Sequence, residues 1–155
     1  MKPDPARLEP ATYPFAIELQ TRFGDLDVLG HLNNAAIARL YEEGRSRFGM
    51  AKLADLRDPS TGRRTWWALV ANVNISYLGE AHYPAPVTIG VGIGRLGGSS
   101  YTIAHGMFQE GRCVGVCDCT LVIVSRETRK AMALPGDLRE RLGAFLVAGA
   151  RNQTS

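Results

Sequence analysis

Residues 22–34 of this chain read Arg-Phe-Gly-Asp-Leu-Asp-Val-Leu-Gly-His-Leu-Asn-Asn, a polar turn that leads from a strand-like run into an amphipathic helix. The turn places the carboxylate of Asp27 and the imidazole of His31 just before the helix begins. Helix starts carry backbone N–H groups without intrahelical partners and a partial positive charge. A negative charge that develops on a substrate oxygen would be stabilised at such a position. We therefore expect the functional chemistry of the chain at this junction.

Length and composition limit the classes of protein to consider. The 155 residues fit a single domain with an ordinary hydrophobic core. The 18 basic and 15 acidic residues leave a net charge of +3 that is spread along the sequence, which does not indicate nucleic-acid binding. The first residues lack a secretory signal pattern, and no apolar run approaches the roughly 20 residues of a membrane-spanning helix. Cys113, Cys117 and Cys119 are odd in number and share one parity in a predicted strand, so we expect reduced cysteines and a cytoplasmic protein.

Two helices are predicted from apolar periodicity. The longer one covers about residues 34–48, with Asn33 as its N-cap. Its apolar face consists of Ile37, Leu40, Tyr41, Gly44 and Phe48. A shorter closing helix is predicted after Pro135, over residues 136–147. We expect residues 1–14 and 148–155 to be flexible segments that flank a domain at 15–147.

Five strand-like runs accompany these helices, at residues 15–23, 65–78, 86–96, 99–109 and 112–125. Gly97-Gly98 and Glu110-Gly111 are hairpin signals, so the strands that they join should be antiparallel. Strand, helix, then hairpin-linked strands predict an α+β fold, an antiparallel sheet wrapped around one long helix.

Two of these strands show a distinct pattern of faces. In residues 65–78 the odd-numbered positions from Trp67 to Tyr77 are apolar, which predicts that they share one apolar face of the strand. In residues 86–96, Gly90, Gly92 and Gly94 leave a row without bulky side chains. Another element can approach the sheet closely along this row.

Five motifs together resemble those of one known family. They are Gly24-Asp25-Leu26-Asp27, Gly30-His31-Leu32-Asn33-Asn34, Tyr41-Glu42-Glu43-Gly44-Arg45, Gly97-Gly98-Ser99-Ser100 and Ala133-Leu134-Pro135. Over about residues 15–147 the chain resembles the hot-dog-fold acyl-CoA thioesterases, particularly the 4-hydroxybenzoyl-CoA thioesterase-like group. The resemblance implies a curved antiparallel sheet around a central helix. It also implies a homodimer whose sheets join edge to edge, with two active sites at the interface, and dimers that often pair into tetramers.

The resemblance further implies roles for individual residues. Asp27 corresponds to the family's nucleophile or general base, and the backbone N–H of Asn34 to the oxyanion site. The Gly-His-x-Asn-Asn sequence is more similar to the long-chain acyl-CoA thioesterase branch than to the founding aromatic enzymes. His31 would assist in positioning. We also expect substrate contacts from a second set of residues: Gly30, Asn33, Ser99 and Ser100.

Other interpretations of these residues stay open at this point. Asp27 alone could simply form a turn, His31 could be structural, and Asp25 is better suited to bonding loop N–H groups. Glu43 is the alternative catalytic acid, although an ion pair with a helix arginine is favoured for it.

Several basic residues also have two interpretations. Arg63, Arg64, Arg126, Arg129 and Lys130 read as solvated loop charges, yet coenzyme A carries phosphates that some basic group must bind.

The sequence therefore predicts an enzyme that hydrolyses a medium- or long-chain aliphatic acyl-CoA, or an acyl carrier protein thioester, without a metal or redox cofactor. One carboxylate and a helix start suffice for such a reaction, because the thiolate leaves readily. A hot-dog enoyl-CoA hydratase or dehydratase and a noncatalytic acyl-CoA-binding sensor are the alternatives.

Overall fold

The computed structural model describes residues 2–152. The two helices are α1, Asn34–Lys52, and α2, Gly136–Gly143. The six strands are β1 Phe15–Leu19, β2 Trp66–Tyr77, β3 Val87–Leu96, β4 Ser100–Gln109, β5 Arg112–Ser125 and β6 Leu146–Asn152. Short 3-10 helices lie at Pro5–Leu8, Pro10–Thr12 and Phe23–Asp25.

The strands form one sheet in the order β1-β3-β4-β5-β2, and each of these neighbouring pairs is antiparallel. Both predicted hairpins are present. In the β4–β5 turn, Glu110 and Gly111 have φ values of 51° and 78°, the left-handed conformation that tight hairpins require. The α+β prediction is confirmed, and β2 lies at the end of the sheet opposite β1.

Helix α1 packs its apolar face on the sheet as predicted. The side chain of Asn33 accepts a hydrogen bond from the N–H of Ala36 at 2.8 Å, which confirms the N-cap. Gly44 allows the closest approach, since a Cβ at this position would lie 2.5 Å from Cγ2 of Ile89 on β3. The helix extends four residues beyond the predicted end at Phe48 and contacts β1, β3 and β4.

The prediction that the odd-numbered residues share one face of β2 is wrong, because the strand contains a bulge. Its pairing with β5 slips between Val70 and Asn72, so residues before and after this point use opposite parities to face the core. Trp66 is buried and Ala68 packs against the core before the bulge, whereas Ile75 does so after it. The odd-numbered residues therefore do not form one continuous buried face.

The predicted closing helix is also shorter than expected. It ends at Gly143, and the chain then forms β6, which runs parallel to β3. The carbonyl of Phe145 accepts a hydrogen bond from the N–H of Ile93 at 2.7 Å. Pairing with β3 thus overrides the helical periodicity of residues 144–147. Residues 148–152, predicted as flexible tail, continue this strand, and 153–155 lie outside the described residues.

Gly90 and Gly92 of the β3 glycine row face the segment before β1 and the start of β6. A Cβ at Gly90 would lie 2.6 Å from the ring of Tyr13, and one at Gly92 would lie 2.5 Å from Val147. The preceding residues are anchored by Arg7, whose guanidinium lies 3.0 Å from the carboxylate of Asp118. Residues 5–13, predicted as a flexible segment outside the domain, thus make specific contacts with the outer face of the sheet.

All three cysteines are free, as predicted. Cys117 and Cys119 are buried in the main core, whereas Cys113 packs beside Tyr13 and Phe108 in a second cluster. Between residues 2 and 152, neither helix is long and apolar enough to cross a membrane.

Candidate active site

The turn before α1 holds Asp27 by its backbone and by one carboxylate oxygen. The N–H of Asp27 donates to the carbonyl of His31 at 2.8 Å, and the N–H of Gly30 donates to the carbonyl of Asp27 at 3.1 Å. Oδ1 of Asp27 accepts hydrogen bonds from the N–H groups of Leu29, at 2.9 Å, and His31, at 3.2 Å. Oδ2 accepts none from the part of the chain that the structure describes. The exposed carboxylate is thus oriented through Oδ1, and Oδ2 is accessible to a reactant.

Gly30 closes this turn with a φ of 80°. A Cβ at this position would meet nothing within 4 Å, so the requirement for glycine is conformational rather than steric. Gly30, predicted to contact substrate, is exposed beside Asp27.

His31 is oriented by a residue that the sequence did not indicate. Its Nε2 lies 3.2 Å from Oε2 of Glu80, and its ring meets that of His82 edge to face at a centroid distance of 5.2 Å. The N–H of Leu32 donates to the carbonyl of Ala81 at 2.9 Å, which ties the turn to this segment. Glu80 lies 49 positions from His31 in a loop without a motif, so no local signal could have identified it.

The start of α1 supplies unpaired donors next to this turn. Asn33 caps the N–H of Ala36, and its own N–H donates to the carbonyl of Asp25 at 2.8 Å. The N–H groups of Asn34 and Ala35 have no acceptor among residues 2–152. Since the first N–H groups of a helix have no intrahelical partner, these two can stabilise an oxyanion.

The two other carboxylates near the site have structural partners. Asp25 accepts a hydrogen bond from the N–H of Arg22 at 3.2 Å and lies 3.4 Å from Arg39, in agreement with the loop role expected for it. Glu43 accepts a hydrogen bond from Nε of Arg47 at 2.8 Å, the ion pair favoured by its spacing.

Ser99 and Ser100 are not brought to Asp27 within the subunit. They lie in the β3–β4 hairpin, where the Ser99 carbonyl accepts from the N–H of Ile123 at 2.8 Å. The Asp27 turn lies near the other end of β3, about 30 Å away along a ten-residue strand. A substrate contact from these serines requires a second subunit and stays a prediction.

Apolar side chains are exposed around the Asp27 turn. Val28 and Leu29 project into solvent, and the exposed ring of Phe23 meets Tyr83 edge to face at 6.1 Å. Exposed apolar side chains grouped in this way are typical of binding surfaces.

Two further findings concern ionisable groups outside the Asp27 turn. His105 is completely buried beside Tyr41 and takes no part in this surface. No cluster of three or more His, Cys, Asp or Glu side chains within residues 2–152 is arranged to hold a metal ion.

Comparisons with known proteins identify the family of the chain. The family model of the thioesterase-like superfamily matches residues 21–142. The long-chain acyl-CoA thioesterase FadM of Escherichia coli strain K12 is 31% identical over 127 residues, which cover 81% of this chain and 94% of FadM.

Two solved structures extend the comparison. The PA5185 protein of Pseudomonas aeruginosa strain PAO1 superposes with a TM-score of 0.75 over 90% of this chain and 96% of its own, at 24% identity. This similarity confirms the predicted hot-dog fold. A thioesterase from Thermus thermophilus, solved with coenzyme A and zinc, is 29% identical and superposes with a TM-score of 0.71 over 86% of this chain and 95% of its own.

Proposed function

Since the chain belongs to the thioesterase-like superfamily of thioester hydrolases, we propose that it hydrolyses an acyl-CoA to the free acid and coenzyme A. The observation that carries the proposal is the single oriented carboxylate of Asp27 beside the unpaired N–H groups of Asn34 and Ala35. A thioester carbonyl placed between them would meet an attacking group on one side and hydrogen-bond donors on the other.

In the proposed reaction Asp27 acts as general base or as nucleophile through Oδ2. As general base Asp27 takes a proton from a water molecule while the water oxygen bonds to the thioester carbon. The carbonyl oxygen gains negative charge, which the Asn34 N–H stabilises. The C–S bond then breaks, and the leaving thiolate takes up the proton that Asp27 holds. His31, held by Glu80, helps to position the thioester, and the proposed step requires no metal or redox cofactor.

The proposed acyl group is aliphatic and of medium or long chain. The relationship to FadM supports this substrate, and so does the exposed apolar surface formed by Phe23, Val28 and Leu29. An extended acyl chain would cover such side chains, which are otherwise costly to leave in water.

We further propose a homodimer that joins through β2, with pairing of dimers into tetramers as a second level of assembly. Strand β2 ends the sheet and therefore presents unpaired backbone groups. Four of its apolar side chains are roughly half exposed: Leu69, Val70, Val73 and Tyr77. The free cysteines support the expected cytoplasmic location, where thiols stay reduced.

The test measures thiol release from acyl-CoAs of increasing chain length by the wild type, Asp27→Asn and Glu43→Gln. Asp27→Asn should lower kcat by at least about a hundredfold, because it removes the base while keeping the shape of the turn. Glu43→Gln should keep activity, and circular dichroism should show both variants folded. Normal turnover by Asp27→Asn would refute the assignment. If no thiol is released but the absorbance of an enoyl-CoA changes, the protein is a hydratase or dehydratase. If acyl-CoA binds and neither reaction occurs, the protein is a sensor.

A further inference from the structure

A second feature of the chain lies at the other end of α1, where a groove of about 600 Å³ opens between the helix and the start of β2. Its polar lining is entirely cationic apart from Ser46: Arg57, Arg63, Arg64 and Arg126. Trp66 and Trp67 form its aromatic wall. We name these four arginines and two tryptophans the arginine groove. The volume is within the range of small-molecule binding sites.

Three of the four arginines of this groove, Arg57, Arg64 and Arg126, are held by carbonyls or aromatic rings. Arg64 donates to the carbonyls of Leu53 and Leu56 and lies over the ring of Trp66, 4.8 Å from its centroid. Arg126 lies 5.0 Å from the centroid of Trp67, which Arg129 also approaches. These contacts orient the guanidinium groups without neutralising them.

The positive charge of the groove is therefore available to a ligand. No carboxylate within residues 2–152 forms an ion pair with any of its four arginines, although seven other ion pairs occur there. The net charge of the whole chain is only +3, so four arginines in one groove are a strong local concentration of positive charge. Guanidinium groups bind phosphate oxygens in a bidentate manner, and clustered ones favour a ligand with several phosphates.

We propose that the arginine groove binds the phosphorylated nucleotide of coenzyme A, and that it serves the Asp27 site of the other subunit in a dimer. This inference rests on the proposed function, because it identifies the residues that bind the coenzyme A part of the proposed substrate. It favours coenzyme A over an acyl carrier protein as the acyl donor, since the clustered guanidinium groups match the several phosphates of the nucleotide.

The position of the groove supports the arrangement across subunits. Met50 in the groove and Asn34 at the active-site end are sixteen residues apart on α1, which corresponds to about 24 Å. When two copies of β2 pair antiparallel, the Trp66 end of one strand lies beside the Tyr77 end of the other. Tyr77 leads directly to Glu80, which contacts His31. The groove of one subunit and the Asp27 turn of its partner would thus share one side of the interface.

The first experiment compares an acyl-CoA with the same acyl group on pantetheine, which lacks the nucleotide. Arg63→Ala and Arg126→Ala should each raise KM for acyl-CoA about tenfold, because a hydrogen bond to a charged group is removed. KM for acyl-pantetheine and kcat should stay unchanged. Arg112→Ala is the matched control, since Arg112 is an exposed arginine at the opposite end of β5. An unchanged KM for acyl-CoA in both groove variants would overturn the inference.

Binding of free coenzyme A by calorimetry separates this inference from the proposed function. If the wild type binds coenzyme A through Arg63 and Arg126 but releases no thiol, the groove stands and the proposed reaction fails. If the wild type hydrolyses acyl-CoA and the variants bind coenzyme A as well as it does, the groove assignment alone fails. If the groove variants lose turnover with an acyl carrier protein thioester but not with acyl-CoA, the groove is a protein-docking surface and the nucleotide site is refuted.

Mixed dimers test the arrangement across subunits. Asp27→Asn protein is refolded together with the double variant Arg63→Ala/Arg126→Ala, and activity is measured at low acyl-CoA concentration. If the groove serves the other subunit, each mixed dimer contains one intact site, and activity exceeds that of the two proteins measured separately. If the groove serves its own subunit, every site carries a defect and no activity is regained, which would overturn this part of the proposal.

Discussion

His105 makes the stability of this protein sensitive to mild acid. The ring is completely buried on β4, its Nδ1 lies 3.2 Å from the carbonyl of Cys117, and its Nε2 has no partner within residues 2–152. Nδ1 therefore carries the proton, and a second proton on Nε2 would have no acceptor. The pKa of His105 is lowered from 6.5 to about 3, chiefly by burial and also by the nearby Arg45 and Arg7, against the opposing effect of the hydrogen bond to Cys117.

The sign of the effect follows from this shift. Between pH 6.5 and pH 3 the unfolded chain binds a proton at His105 that the folded chain does not. The free energy of unfolding therefore falls as the pH decreases through this window. The loss reaches about 1.4 kcal/mol per pH unit, so a change from pH 7 to pH 5 should cost about 2 kcal/mol from this residue alone.

Urea unfolding at pH 7 and pH 5 measures this cost, at one fixed protein concentration because the proposed dimer would also contribute to stability. His105→Gln keeps a group that can donate to the Cys117 carbonyl but does not titrate. The variant should lose about 2 kcal/mol less than the wild type between the two pH values. His82→Gln, which changes an exposed histidine, should lose as much as the wild type. Equal losses in the wild type and His105→Gln would refute the reasoning.

Two further predictions concern packing and assembly. Gly44→Ala should lower the free energy of unfolding by about 1–3 kcal/mol, because the new Cβ would lie 2.5 Å from Cγ2 of Ile89. Gly49→Ala, on the same helix with open space around it, should instead be neutral or stabilising by up to about 1 kcal/mol, and urea unfolding compares the two. Val73→Lys should convert the proposed dimer to monomer in sedimentation analysis, because it places a charge on the β2 edge. Leu8→Lys places the same charge on an exposed apolar residue outside β2 and should leave the dimer intact. If the Val73→Lys variant is still a dimer, the proposed interface is wrong.

The features that sequence predicted well depend on near neighbours along the chain. The face of α1 follows from a spacing of three and four residues, the cap from the side chain of Asn33, and the hairpins from pairs such as Glu110-Gly111. The hydrogen bonds of Asp27 itself are equally local, since they join residues at most four positions apart.

Features that depend on pairing between distant segments could not be predicted in this way. The bulge in β2 reverses the faces of the strand, and it arises from register with β5 rather than from any breaker residue near Ala71. Residues 146–152 form a strand because β3 offers them an edge, although residues 136–147 have the periodicity of a helix.

The sequence by itself determined the hot-dog family, the long helix and the carboxylate at its start, because motif and periodicity are local properties of the chain. Only the tertiary structure decided that Glu80 orients His31 and that four arginines share one groove. These residues come from separate loops and strands. Their electrostatic interactions depend on distances in space, which only the packing of the whole sheet and helix sets.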